Sequence, residues 1–125
     1  MTPEGRVKHE IDERLKSAHA YQHKPVQNGM GKPTLDYHVC HKGLYAGVEA
    51  KAPGKKATPR QIRTMKEMAS SGASVFLIDE VTGFDMGQLA AWLLSPVAAF
   101  ISKSAYPYIT GADPVAGEDD ELSND

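Results

Sequence analysis

The chain has little cysteine and no long uninterrupted hydrophobic segment. Cys40 is the single cysteine among 125 residues, which excludes an internal disulfide framework and favours a reducing compartment. No apolar run is long enough to span a bilayer, and the first residues do not form a hydrophobic signal core. We therefore expect a cytoplasmic protein without membrane association, in which Cys40 packs within a strand rather than acting as a nucleophile.

Basic residues are nearly missing from the second half of the chain. Residues 67–125 contain one lysine or arginine against ten acids, whereas residues 1–66 contain 13 against six. The net charge of −2 therefore hides a basic region followed by an acidic one. A basic region attracts a phosphate backbone, and the alternative is a solvated surface of mixed charge. DNA contact is the preferred interpretation, because the basic loop directly follows the strand that carries Glu49 and Lys51. The predicted DNA contacts are Lys32, Lys55, Lys56, Arg60 and Arg63.

Two neighbouring segments, 34–41 and 44–51, have the composition of strands joined by a tight turn at Lys42-Gly43. Antiparallel pairing across this turn places Tyr45 near Val39 and Cys40 and places Glu49 near Asp36, with a register defined to within a residue or two. Glu49 and Lys51 share one face of their strand because they are two residues apart. The hairpin is thus predicted to gather two acids and a lysine at one point.

These residue types suit metal-dependent cleavage of a phosphodiester. Mg²⁺ prefers hard oxygen ligands, which Asp36, Glu49 and the backbone carbonyl of Ala50 would supply. The ammonium group of Lys51 would stabilise developing negative charge or orient the attacking water. An acid and a lysine two residues apart are also common on solvated strands, so the spacing alone leaves both interpretations open.

The remaining segments predict an α/β fold. Thr2 and Pro3 start a first helix whose buried stripe is Val7, Ile11 and Leu15. The other predicted elements are a strand within residues 20–26, a helix from Thr58-Pro59 to about Ser70, an apolar strand over 74–78 that is central and parallel to a neighbour, and a third helix capped by Asp85. The predicted order is α-β-β-β-α-β-α, with a mixed central sheet flanked by helices.

The succession of these segments resembles the VRR-NUC nucleases, a branch of the PD-(D/E)XK superfamily. It is most similar to the small stand-alone versions carried by phages. The resemblance covers residues 1 to about 80, and its most specific part runs from Val48 to Gln61. It implies a restriction-endonuclease-like core.

The resemblance also implies a role for individual residues. Asp36 stands where the family has its first metal-binding acid, and Glu49 and Lys51 stand where it has its E-x-K pair. Gln61 matches the glutamine of the following helix, and Glu4 matches the acid of the first helix, for which Glu10 is the alternative. The sequence departs from many members at one point, because Thr34 and Leu35 separate Pro33 from Asp36.

The function implied by the resemblance is an endodeoxyribonuclease that depends on Mg²⁺ or Mn²⁺. Small stand-alone relatives are expected to form homodimers and to cut branched DNA such as Holliday junctions, which suggests a phage-encoded protein acting in a bacterial host. A nicking nuclease or a flap- or fork-specific nuclease is the main alternative. A DNA-binding module that keeps the fold without the chemistry is the other.

The sequence predicts three regions along the chain. Residues 1–95 form the nuclease domain, and residues 96–110 form an extension that packs on this domain or lies at a dimer interface. Residues 111–125 are acidic and poor in large apolar side chains, which predicts a disordered tail. The tail is either a solvated end or a mimic of DNA that competes for the basic surface.

Overall fold

A computed structural model describes residues 1–27, 29 and 31–111. The elements are α1 (Pro3–Ser17), β1 (Tyr21–His23), β2 (Tyr37–His41), β3 (Leu44–Ala50), α2 (Pro59–Ser70), β4 (Ser74–Ile78), α3 (Phe84–Leu94) and α4 (Tyr106–Thr110). The first seven follow the predicted order, and the short helix α4 was not predicted. β1 is shorter than predicted, since Pro25 has no N–H with which to continue a ladder. Residues 112–125 of the predicted acidic tail lie outside the described residues.

The four strands lie in the sheet in their order along the chain. β1, β2 and β3 are antiparallel neighbours, and β3 and β4 are parallel. Tyr45 lies opposite Cys40, which confirms the predicted hairpin register. The turn between them has positive φ angles at Lys42 (50°) and Gly43 (82°), which suits a two-residue hairpin loop. This register carries Asp36, just before β2, to the level of Glu49 in β3.

The prediction that β4 is central was wrong, because β4 is the last strand in the order. Its outer edge is covered by the segment after α3. The Val75 N–H donates to the Phe100 carbonyl at 2.8 Å, and the Ser102 N–H donates to the Val75 carbonyl at 2.9 Å. The Ser102 hydroxyl also accepts from the Leu77 N–H at 3.0 Å. A strand covered in this way is as apolar as a central one, so its composition did not distinguish the two positions.

The sheet separates two apolar clusters. On the face towards α1 and α3, the strands pack against the predicted stripe of Val7, Ile11 and Leu15 and against α3. On the other face, here called the α2 face, Leu35, Val75 and Leu77 pack with α2 and with Ala105 of the segment before α4. Both α1 and α2 begin as predicted, with Thr2 and Thr58 as their N-caps. No helix in the described part of the chain has the length and apolar character needed to cross a bilayer.

Two further predictions are corrected by the structure. Asp85 does not cap α3: the N-cap is Gly83, which offers no side chain, and the Asp85 carboxylate accepts hydrogen bonds from the Ser104 N–H at 2.8 Å and the Ser104 hydroxyl at 2.5 Å. Cys40 is exposed rather than packed. The reason is that Cys40 points to the α2 face beside the half-exposed Tyr45, at the end of the strands that α2 leaves uncovered.

Candidate active site

Asp36, just before β2, and Glu49 of β3 meet where the hairpin opens. The Asp36 N–H donates to Glu49 Oε1 at 3.2 Å, and the Ala50 N–H donates to Asp36 Oδ2 at 3.0 Å. Glu49 therefore accepts from the backbone of Asp36, and Asp36 accepts from the backbone of the residue that follows Glu49. Glu49 is almost fully buried, and the side chain of Asp36 is 16% exposed. Backbone N–H groups thus hold the two carboxylates side by side.

Gln61 connects this pair to Lys51. Its amide nitrogen donates to Glu49 Oε2 at 2.7 Å, and its amide oxygen accepts from Lys51 Nζ at 3.0 Å. The same oxygen accepts from the Thr58 N–H at 3.0 Å and completes the capping box of α2. The side chain of Gln61 is thus held in place by the N-cap residue of its own helix. The structure brings Asp36, Glu49, Lys51 and Gln61 together, as the sequence predicted for a site.

α1 adds an acid and a lysine at the rim. Lys8 Nζ lies 3.3 Å from Glu4 Oε2 and 3.9 Å from Asp36 Oδ1. Glu10, the alternative helix acid, pairs with Arg14 at 2.8 Å instead. Glu4 is therefore linked to Asp36 through Lys8, and Glu10 is engaged elsewhere along the helix.

Burial shapes the electrostatics of the site. Burial raises the pKa of Glu49 to about 8, with a further contribution from the negative charge of Asp36. The pKa of Asp36 is raised as well, since its burial outweighs the opposing hydrogen bond from Ala50 and the charge of Lys8. For Lys8, burial lowers the pKa, but the charges of Asp36 and Glu4 outweigh burial and raise it. The neighbouring lysines thus do not offset the effect of burial on the two adjacent carboxylates, and both pKa values are raised.

The donor set fits a divalent cation that retains much of its water. Asp36 and Glu49 supply carboxylate oxygens, and the Ala50 carbonyl lies in the chain directly after Glu49. Among the described residues, no three or more His, Cys, Asp or Glu side chains are grouped closely enough to hold a metal by themselves. Mg²⁺ is commonly bound by one or two carboxylates together with waters and substrate phosphates. Such an ion would also supply the positive charge that the buried acids lack.

A cleft of about 360 Å³ opens at Asp36. One wall is α1 with Lys8, and the other is the segment after β1 with Lys24, Pro25 and Gln27. Tyr37, which is 1% exposed, lines the cleft from within the sheet. Asp36, the less buried of the two acids, therefore lines an open cleft.

The predicted DNA contacts lie in different places. Lys55, Lys56 and Arg63 are exposed in the loop before α2 and on α2, whereas Arg60 is partly buried. Lys32 pairs with Glu67 at 2.7 Å. Glu67 is six residues beyond Gln61 along α2, which is roughly 9 Å of helix rise. Lys32 therefore lies towards the far end of α2 from the acids.

Sequence reasoning missed Lys8 and Lys24 as residues of this cleft. Lys8 carries a signal in its spacing, because Glu4 and Lys8 are four residues apart on a helix and are thus neighbours. Lys24 carries no comparable signal, since its partner Asp12 is twelve residues away and lies on another element.

Comparisons with known proteins concern the fold as a whole. No family model matches the chain, and no curated protein does either. A solved structure titled "VRR_NUC domain" is similar to this chain, with a TM-score of 0.60 and 24% sequence identity. The similarity covers 78% of this chain and 100% of that one. The chain therefore has the fold of a VRR-NUC domain, as the resemblance in its sequence predicted.

Proposed function

We propose that this chain is an endodeoxyribonuclease that hydrolyses phosphodiester bonds with the help of Mg²⁺ or Mn²⁺. The observation that carries the proposal is the bridge made by Gln61, which binds Glu49 Oε2 at 2.7 Å and Lys51 Nζ at 3.0 Å. It joins a buried acid to an ammonium group, and the acid lies beside Asp36, which lines a cleft. The likeness in fold to a VRR-NUC domain supports the same conclusion.

Each side chain has a distinct part in this proposal. Asp36 and Glu49, with the carbonyl of Ala50, hold the cation, which when bound lowers the pKa of a coordinated water and polarises a phosphoryl oxygen. Gln61 keeps Lys51 at a fixed distance from Glu49 through its two hydrogen bonds. Lys51 places its positive charge where the attacked phosphate becomes more negative. Hydrolysis adds the hydroxyl of water to phosphorus, and the proton goes to the leaving oxygen.

For the substrate, we propose branched DNA cut by a homodimer. A two-fold dimer presents two identical sites to two strands, which suits symmetric cleavage of a four-way junction. Glu4 belongs to the proposed machinery as the acid that holds Lys8 at the rim. Lys32, Lys55, Lys56, Arg60 and Arg63 are the proposed contacts to the DNA backbone outside the cleft. The bacterial cytoplasm is the proposed place of action, where a phage-encoded nuclease would meet DNA.

The test is cleavage of a panel of labelled DNAs by the purified protein. The panel contains a four-way junction, a fork, a flap, a linear duplex and a single strand, each with Mg²⁺, with Mn²⁺ and with EDTA. We expect cleavage that requires the cation and that is lost in Asp36→Asn. Paired symmetric cuts in the junction would support the resolvase-like activity, whereas cuts near forks or flaps would favour the alternative nucleases.

The matched control for this test is Glu13→Gln. Glu13 is an exposed acid of α1, so its change removes the same charge without touching the site. Tight junction binding without cleavage under any condition would contradict the enzyme and leave the DNA-binding module.

A further inference from the structure

The cleft at Asp36 contains two lysines that the proposed chemistry does not use. Lys8 and Lys24 stand on opposite walls, one on α1 and one after β1. Both are well exposed, with 42% and 56% of the side chain accessible. Their shared neighbour is Tyr37, the residue that follows Asp36 in the chain.

Tyr37 fixes the distance between the two walls. Its hydroxyl donates to the Lys8 carbonyl at 3.1 Å, which ties the backbone of α1 to the start of β2. Its ring lies under the Lys24 ammonium, 5.9 Å from the ring centroid. Lys24 also reaches Asp12 on α1 at 3.4 Å. One buried aromatic residue therefore contacts both lysine-bearing segments of the cleft that Asp36 also lines.

Lys8 lies at the rim of the cleft, and one of its two acidic partners is Asp36, a proposed ligand of the cation. Its ammonium lies between Glu4 at 3.3 Å and Asp36 at 3.9 Å. Contacts of this length between partly exposed side chains are weak and readily exchanged. A divalent cation on Asp36 would repel the ammonium and compete for the same carboxylate. The long flexible stem of lysine allows the charged head to move into the cleft.

We propose that the cleft between α1 and residues 24–27 binds the DNA strand beside the phosphate that is cut. Lys8 neutralises Asp36 in the cation-free protein and passes to a backbone phosphate when the cation takes its place. Lys24 holds a neighbouring phosphate in either state. This inference rests on the proposed function and names two residues that bind its substrate.

The first experiment measures the affinity of the DNA-free protein for Mn²⁺ by calorimetry. We expect Lys8→Met to bind Mn²⁺ more tightly, by about twofold to fivefold, because a competing charge beside Asp36 is removed. Lys16→Met is the matched control, since Lys16 is an exposed lysine two turns further along α1, and its affinity should equal that of the parent. Unchanged or weaker Mn²⁺ binding by Lys8→Met would overturn the proposal that the cation displaces Lys8 from Asp36.

The second experiment measures DNA binding at several salt concentrations in the Lys51→Met background, which is designed not to cut. With Mn²⁺ present, Lys8→Met and Lys24→Met should each reduce the slope of log affinity against log salt by about one. With EDTA, the effect of Lys24→Met should remain, and that of Lys8→Met should shrink, because Lys8 is then occupied by Asp36. The Lys16→Met control should keep the parent slope in both conditions.

The outcomes separate this inference from the function on which it rests. Cleavage by the parent together with unchanged slopes in both lysine variants would overturn the strand cleft and leave the nuclease proposal standing. Failure of the parent to cut or bind any DNA would overturn the proposed function. Thermal melting of each variant, which we expect to match the parent because both side chains are exposed, shows that a changed slope reflects binding.

Discussion

The two faces of the sheet differ in what they leave uncovered. On the face towards α1 and α3, the strand residues Val39, Val48 and Phe76 are fully buried in an apolar cluster. On the α2 face, apolar packing occupies the middle, while Asp36 and Glu49 lie where the hairpin opens and the half-exposed Tyr45 lies near its turn. One face therefore stabilises the fold, and the other combines packing with chemistry. Substitutions on the two faces should separate activity from stability.

The largest effect is expected from the acids and the lysine of the α2 face. Glu49→Gln and Lys51→Met should each lower the cleavage rate on the order of 10³-fold, because the first removes a charge that holds the cation and the second removes a charge that acts on the reacting phosphate. Melting temperatures should change little for Lys51→Met, whose side chain is partly exposed. The measurement is single-turnover cleavage of the best DNA of the panel, with Glu13→Gln and Lys16→Met as matched controls. Near-parent rates in both site variants would refute the site.

On the face towards α1 and α3, a substitution is expected to lower stability and to leave activity nearly unchanged. Phe76→Ala should lower the free energy of unfolding by about 3–5 kcal/mol, because it leaves a cavity beside Trp92 and Phe100. The rate of cleavage per folded molecule should stay near that of the parent. Urea denaturation measures the first quantity, and active-site titration at low temperature normalises the second. A specific loss of activity in a fully folded Phe76→Leu variant would show that the two faces are coupled.

A change of pH sharpens the comparison through Glu49. Without a cation, burial raises the pKa of Glu49 to about 8 from an ordinary value of 4.5. The folded protein then binds more protons than the unfolded chain between these values, so the free energy of unfolding falls as pH rises through this window, on the order of a few kcal/mol. Below this window the stabilising effect of the protonated acid is fully present.

Thermal melts at pH 5 and pH 8 measure this dependence. Glu49→Gln should flatten it, and Mn²⁺ should raise the melting temperature more at pH 8 than at pH 5, because it binds the ionised carboxylates. An equal pH dependence in the parent and in Glu49→Gln would contradict the assignment to Glu49.

A smaller effect is expected from the first turn of α2, where Gln61 both completes the capping box and binds Lys51 and Glu49. Thr58→Ala removes the hydroxyl that accepts from the Gln61 N–H at 3.2 Å and should cost about 1 kcal/mol of stability. Gln61→Ala should cost a similar amount and should also lower cleavage by about tenfold or more, because Lys51 and Glu49 lose their shared partner. Comparing the two variants in melting and in cleavage separates the cap from the site. Equal cleavage by both would mean that Gln61 serves the helix alone.

Local patterns predicted the site better than they predicted the edges of the fold. The hairpin register depends on neighbouring residues, so the meeting of Asp36 and Glu49 could be read from the sequence, whereas Gln61 was placed beside them by the family resemblance. The position of β4 could not, because the segment that covers its edge lies more than twenty residues later. The partner of Asp85 is nineteen residues away, and a helix cap was the nearest local explanation.

The smallest effect concerns the exposed part of the loop before α2. Lys55 and Lys56 are exposed there, a few residues from Lys51. Reversing both to glutamate should leave the cleavage rate at saturating DNA near that of the parent, while it weakens DNA binding and reduces the slope of log affinity against log salt by about two. The measurement is fluorescence anisotropy with a labelled junction from low to moderate salt. The control is Lys16→Glu combined with Lys103→Glu, two exposed lysines whose reversal makes the same change of charge. An affinity equal to that of the control would mean that this loop faces away from the DNA and that the protein binds its substrate without it.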